Sequence, residues 1–160
     1  MNLLKIILKS PMYFAIQITV LCLLLIPIFA ISFVNYPWAE DFYQAYLIKE
    51  FGFIEATTYI INHFSSRFSW LIVQLLNPLV YNFWIGVYIW PIIHIFLLIF
   101  TIFKLLRSIS SLSNKWLWLI SLWCTVIFLN EIPGIFEGIF WWSSAVMYLW
   151  GGLTTIIYLI

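Results

Sequence analysis

Long unbroken runs of apolar residues constrain this chain more than any other feature. Of its 160 residues, 65% are hydrophobic and only 8% are charged, which is far from the composition of a soluble globular domain. A bilayer core about 30 Å thick needs about 20 helical residues, because backbone polar groups must be paired internally there. Four segments meet or approach that length, at residues 13–34, 81–103, 112–129 and 140–160. The sequence therefore predicts an all-α integral membrane protein with about four transmembrane helices.

The charged residues are segregated along the chain. Lys5 and Lys9 precede the first predicted span, and Lys104, Arg107 and Lys115 lie between the second and third. Because basic residues near helix ends favour the cytoplasmic side, the N-terminus is predicted to be cytoplasmic. All six acidic residues then fall on the external side. The net charge of +1 gives no support to a nucleic-acid partner.

A segment of about 45 residues, 35–80, separates the first two predicted spans on the external side. It is too long for a simple turn and too apolar for a solvated tail, so it predicts amphipathic juxtamembrane helices lying on the membrane. Pro37 suits the first turn of one helix, which Gly52 can end. Polar residues at intervals of three and four predict a second helix over residues 54–76.

Residues 1–160 are predicted to form a single transmembrane unit, because neither a repeat nor a low-complexity linker interrupts them. The chain is still apolar at Ile160, inside the fourth predicted span. We therefore expect an N-terminal portion of a longer polytopic protein.

Glu40 and Asp41 stand side by side in the external segment. Neighbouring carboxylates repel, so one can acquire a raised pKa and act as a general base; together they can also hold a hard divalent cation such as Mg²⁺ or Mn²⁺. Adjacent helical residues point about 100° apart, so one acid would act and the other would support it. The helix dipole favours acids in a first turn after Pro37 equally well. These residues alone leave both interpretations open.

Three other polar residues outside the spans could take part in chemistry. His63 and Arg67 lie four residues apart on one edge of the amphipathic helix, where an arginine fork could hold a lipid-linked phosphate. Snorkelling of the arginine to lipid headgroups is the alternative. Glu137, in the second external loop, could complete a metal site with the first loop or bind sugar hydroxyls; a solvated loop acid is the alternative.

His94 lies deep in the second predicted span, three residues after Pro91. An ionisable side chain at that depth raises a functional question. A neutral imidazole bonded to the carbonyl that Pro91 leaves unpaired would give it a structural role, and this is the role we predict.

Three stretches carry a family resemblance: AEDFYQAY, YIINHFSSRFSW and FEGIFWWSSAVMYLWGG. They resemble the N-terminal part of a GT-C type polytopic membrane glycosyltransferase, and are similar to bacterial families related to O-antigen glucosyltransferases. Two positions depart from the family pattern, since glutamate replaces the usual first aspartate and Ser66 replaces a glycine. The residues that match the family elements are Glu40, Asp41, Phe42, Arg67, Trp141, Ser143 or Ser144, and Tyr148.

The resemblance implies inverting transfer of a sugar from a polyprenyl-phosphate donor to a glycan or lipid acceptor, at the external face of a bacterial inner membrane. Asp41 would be the general base or a metal-linked carboxylate, with Glu40 as its companion and Arg67 as a ligand of the carrier phosphate. Apart from the resemblance, Glu137 is predicted as a second ligand if Asp41 holds a metal. The residues expected to bind substrate are Arg67, His63, Glu137, Trp141 and Tyr148. The alternative is a non-catalytic membrane component, a scaffold or transporter fragment, in which the external acids cap helices.

Overall fold

Every regular element in the described part of the chain is helical, which confirms the predicted all-α class for those residues. The computed structural model describes residues 10–63, 74–132, 134–135, 139–140, 142–145 and 149–158. The α-helices are α1 (Pro11–Ser32), α2 (Ala39–Phe51), α3 (Phe53–His63), α4 (Trp84–Ile109), α5 (Asn114–Glu131), α6 (Trp142–Ala145) and α7 (Gly151–Tyr158). Two 3-10 helices lie at Gln74–Leu76 and Pro78–Tyr81.

Two of the described helices, α1 and α4, are long and apolar enough to cross a bilayer. With 22 and 26 residues, they are about 33 and 39 Å long at 1.5 Å per residue. In α1 the buried residues Leu21, Leu25 and Ile28 form one stripe, while apolar side chains such as Leu23 and Ile26 are exposed on the rest of its surface. That surface suits hydrocarbon rather than water. The first and second predicted spans therefore correspond to helices of spanning length.

The third and fourth predicted spans correspond to shorter helices. The 18 residues of α5 include Asn114, Lys115, Asn130 and Glu131 at its two ends, so its apolar part is shorter than that of α1. The fourth prediction falls on α6 and α7, with residues 146–148 between them outside the described residues.

A shared core joins α1, α4, α5 and α7. Buried aliphatic side chains from each helix meet there, including Leu21, Ile95, Leu119 and Leu153. The link between α4 and α5 is only residues 110–113, which makes these two packed helices antiparallel neighbours. A partly buried hydrogen bond adds to the packing, because the indole Nε1 of Trp123 in α5 donates to Oε1 of Gln17 in α1 at 3.0 Å.

Segment 35–80, predicted to be external, folds back onto the helical core. Its first helix, α2, ends before Gly52, whose φ of 78° is in the region that favours glycine. The prediction that Pro37 lies in the first turn of this helix is wrong, because the N-cap residue is Trp38 and the helix begins at Ala39. The next helix, α3, buries Ala56 and Ile60 in a cluster with Leu47 and Trp142, so part of its apolar face contacts protein.

The predicted second helix of the external segment is only partly correct. Residues 53–63 are α-helical, and residues 64–73 lie outside the described residues. At its far end the prediction is wrong, because Gln74–Leu76 is a 3-10 helix. The physical cause lies just beyond it: Asn77 is extended before Pro78, as residues before proline prefer, and its side chain caps the next 3-10 helix by accepting the Leu79 N–H at 3.0 Å.

Gly86 lets the first turn of α4 approach this capped segment closely. A Cβ at position 86 would lie 2.7 Å from Pro78 Cβ and 2.7 Å from Phe83 Cδ1. We expect Gly86→Ala to destabilise the protein by about 1–3 kcal/mol, as overpacking does. Thermal unfolding of the purified full-length protein in detergent would measure this. Gly151→Ala is the matched control, since its Cβ would meet no atom within 4 Å; equal midpoints for the two variants would contradict the prediction.

Candidate functional site

Asp41 is buried at the start of α2, whereas its neighbour Glu40 is exposed. The Oδ2 atom of Asp41 accepts the backbone N–H of Trp38 at 3.1 Å, which ties the carboxylate to the helix N-terminus. The Nδ2 atom of Asn77 donates to the backbone carbonyl of Asp41 at 3.2 Å. With only 1% of its surface exposed, Asp41 is the acid of the pair that the fold encloses.

Asp41 lines a small pocket at the junction between segment 35–80 and α4. The volume of about 10 Å³ is close to what one water molecule needs. The pocket therefore has room for a water molecule or a single hydroxyl group, and it is too small for a sugar ring. The polar residues that line it are Asn35, Asp41, Asn77 and His94, and the aromatic residues are Trp90, Phe140 and Trp142.

Asn35 joins two chain segments at this pocket. Its Nδ2 group donates to the carbonyl of Val87 at 3.2 Å and to the carbonyl of Phe140 at 3.0 Å. The Val87 carbonyl is the one that Pro91 leaves unpaired in α4, because position 91 has no N–H for the i−4 acceptor. The buried Asn35 amide thus donates to the carbonyl that Pro91 leaves unpaired in α4, and it also bonds to the segment before α6.

The prediction that His94 pairs with the carbonyl left unpaired by Pro91 is wrong. That carbonyl belongs to Val87, seven residues before His94 and about 10 Å away along the helix axis, beyond the reach of an imidazole. The Nδ1 atom of His94 instead lies 3.0 Å from the Ile139 carbonyl. His94 is therefore bonded to the segment before α6 rather than to its own helix.

An aromatic enclosure surrounds the His94 ring. Its centroid lies 6.0 Å from that of Trp90, 5.9 Å from that of Trp142 and 6.1 Å from that of Trp150. The Nε2 atom of His94 is buried and has no hydrogen-bond partner among the described residues. An imidazole nitrogen with unused hydrogen-bonding capacity thus belongs to the same pocket wall as Asp41.

The remaining predicted site residues are not brought to this pocket within the described part of the chain. His63 is exposed at the end of α3, with Nδ1 2.8 Å from the Tyr59 carbonyl and its ring stacked on Tyr59. Within the described ranges, no group of three or more histidine, cysteine or acidic side chains could hold a metal ion. Four other predicted site residues lie outside the described residues: Arg67, Glu137, Trp141 and Tyr148. The predicted metal pair of Asp41 and Glu137 therefore lies partly outside them as well.

Sequence reasoning missed the amide side chains around the pocket. Asn35 and Asn77 line it, and Gln74 bonds to Trp142 in its wall; all three are buried, although nothing in their spacing distinguishes them from loop residues. The one available signal was Pro91, since a proline inside a predicted span requires some donor for the carbonyl four residues earlier. That signal indicates that a donor is needed, but it does not say which residue supplies it.

Trp142 anchors α6 to the buried Gln74 side chain. Its indole Nε1 donates to Gln74 Oε1 at 3.1 Å, and both side chains are buried. We expect Trp142→Phe to destabilise the protein by about 1–3 kcal/mol, because it leaves the Gln74 carbonyl oxygen buried without this donor. The measurement is the thermal unfolding midpoint, with Trp84→Phe as control because the exposed Trp84 makes no indole hydrogen bond among the described residues. A midpoint no lower than that of the control would contradict this role.

Comparison of the chain with protein-family models, with curated proteins and with solved structures finds no match.

Proposed function

We propose that the protein transfers a sugar from a polyprenyl-phosphate donor to an acceptor hydroxyl outside the cytoplasm, with Asp41 as the general base. The observation that carries the proposal is the enclosure of Asp41, alone of the acidic pair, in the wall of a pocket that can admit a hydroxyl group. A carboxylate in the wall of a pocket that admits a hydroxyl group can reach the hydroxyl proton directly, which is the geometry that a general base needs.

The proposed step moves one proton and exchanges one bond. The Asp41 carboxylate takes the proton of the acceptor hydroxyl while that oxygen forms a bond to the anomeric carbon. The bond from the anomeric carbon to the carrier phosphate breaks on the opposite face, and the phosphate leaves with the electron pair, which gives inversion. Glu40 would support the base, and Arg67 would bind the carrier phosphate.

The proposed topology follows from the charges and from the α4–α5 pair. Arg107 and Asn114 are joined across the link between these helices by a 2.7 Å hydrogen bond, and Lys115 follows directly. Basic residues at this link favour a cytoplasmic position, so the N-terminus would be cytoplasmic and α2 and α3 external. In this arrangement α5 would be the third span and residues 140–160 would contribute the fourth, in a bacterial inner membrane.

The test is sugar transfer by membranes that contain the full-length protein. Membranes from cells expressing it, supplied with a labelled polyprenyl-phosphate sugar, should label a glycan or lipid acceptor that control membranes do not. Substituting Asp41 while preserving the fold should abolish labelling. Transfer that continues undiminished without the Asp41 carboxylate would overturn the base assignment.

A second candidate function, a non-catalytic membrane component, is favoured by one specific observation. The Trp38 N–H bond to Asp41 Oδ2 is the contact that a purely structural acid at a helix N-terminus would make. In that case Asp41 substitutions would change the unfolding midpoint and leave glycan composition unaltered. Glycan analysis of cells carrying Asp41 variants therefore discriminates between the two functions.

A further inference from the structure

A groove between α2 and α3 carries aromatic rings and one carboxylate at its wall. We name it the tyrosine groove; the side chains that line it are Tyr43, Tyr46, Leu47, Phe51, Glu55 and Tyr59. Its volume is about 370 Å³, which is large enough for a small organic group. The four aromatic residues are between 38% and 53% exposed, so their rings are available to a ligand, that of Tyr59 on the face that His63 does not cover.

The charges of the tyrosine groove favour a cation. Among the described residues, Glu55 is its one carboxylate, no basic residue lines it, and Glu55 makes no ion pair. The hydrogen bond with Tyr59 raises the pKa of Tyr43, so that phenol stays neutral near neutral pH. Aromatic faces and a carboxylate both attract an ammonium group, and rings arranged around a cation are a common mode of ammonium recognition.

The groove lies beside the end of a membrane-spanning helix. Tyr46 also lines a neighbouring groove together with Lys49 and Trp84, and Trp84 is the first residue of α4. Tyrosine and tryptophan at the end of a spanning helix mark the depth of lipid headgroups. In that neighbouring groove, Lys49 Nζ lies 2.6 Å from Asn82 Oδ1, so the nearest lysine on α2 is bonded to an amide oxygen.

We propose that the tyrosine groove binds the ammonium headgroup of an amine phospholipid such as phosphatidylethanolamine. The ammonium would lie against the Tyr43 and Tyr59 rings and donate to Glu55, while the acyl chains enter the bilayer beside α4. Phosphatidylglycerol lacks the cation, and its anionic headgroup is repelled by Glu55. A soluble amine lacks the chains that would hold it at this depth. The inference depends on membrane insertion and not on the proposed glycosyl transfer.

The experiment measures lipid retention by the purified full-length protein with native mass spectrometry. The detergent-solubilised protein is titrated with phosphatidylethanolamine, with phosphatidylglycerol of the same acyl chains, and with soluble ethanolamine. We expect the amine lipid to be retained at lower concentration than the anionic lipid, and soluble ethanolamine to leave its retention unchanged. Glu55→Gln should weaken amine-lipid retention about threefold to fivefold, the range of an exposed ion pair.

Two further variants keep the test interpretable. Glu50→Gln removes an exposed acid from α2 that does not line the groove, and it should leave retention unchanged. Tyr59→Leu removes a ring and should weaken retention about threefold, as loss of an exposed cation–π contact does. Equal retention of the two lipids, equal effects of Glu55→Gln and Glu50→Gln, or displacement of the lipid by soluble ethanolamine would overturn the proposal.

Discussion

Asp41→Asn is expected to lower the rate of sugar transfer by the full-length protein by about 10²–10⁴-fold, the usual contribution of a general base. Asparagine keeps a side-chain oxygen that can accept the Trp38 N–H, so the contact at the start of α2 can be preserved. It cannot take a proton from an acceptor hydroxyl. The measurements are labelled-sugar transfer in membranes and the thermal unfolding midpoint of the purified protein.

Two comparisons separate this catalytic effect from a structural one. Asp41→Ala removes the acceptor as well as the base, so it should lose transfer and also cost about 1 kcal/mol of stability. Glu40→Gln changes the exposed neighbour and should affect transfer much less. If Asp41→Asn transfers sugar at the wild-type rate, the carboxylate is not the base; if it loses transfer only because the protein unfolds, its midpoint will fall with that of Asp41→Ala.

Asn35→Ala is expected to cost about 2–4 kcal/mol of stability, the largest loss that we predict for a single side chain here. The substitution removes one donor group that serves two carbonyls, those of Val87 and Phe140. Leaving the buried Val87 carbonyl without this donor costs about 1–3 kcal/mol, and the bond lost at the Phe140 carbonyl adds about 1 kcal/mol. Thermal or chemical unfolding in detergent would measure the loss.

A double-mutant cycle with Pro91→Ala identifies the cause. Alanine at position 91 restores a backbone N–H that can donate to the Val87 carbonyl. Asn35→Ala should therefore cost at least about 1 kcal/mol less in the Pro91→Ala background than in the wild type. Strict additivity of the two substitutions would show that Asn35 does not compensate for the proline.

The predicted helices and the acidic pair show which features can be predicted from residues that are close in the sequence. The C-terminal end of α2 follows from Gly52, because a positive glycine φ acts on the residue next to it, whereas Pro37, predicted in the first turn, lies just before the N-cap residue Trp38. The same local rules made Glu40 and Asp41 equivalent, since both lie in the first turn. Their difference in exposure depends on which side of α2 meets the segment at Asn77, which is 36 residues away in the chain.

His94 shows where local reasoning fails. The sequence around Pro91 correctly requires a donor for an unpaired carbonyl, but the nearest polar side chain is not the one that reaches it. Asn35 is 52 residues from Val87, and Ile139 is 45 residues from His94. Pairings across such separations depend on how α1, α4 and the segment before α6 pack, which no helical period encodes.

The sequence by itself determined the all-helical class of the described residues and two helices that are long and apolar enough to span a bilayer. Apolar runs of about 20 residues require helices wherever water is absent, and proline, glycine and charge mark where those helices end. Only the tertiary structure decided which polar side chains share the buried pocket: Asp41 without Glu40, together with His94, Asn35 and Asn77. The physical reason is that helix formation depends on neighbours within four residues, whereas burial of a polar group depends on partners brought from distant parts of the chain.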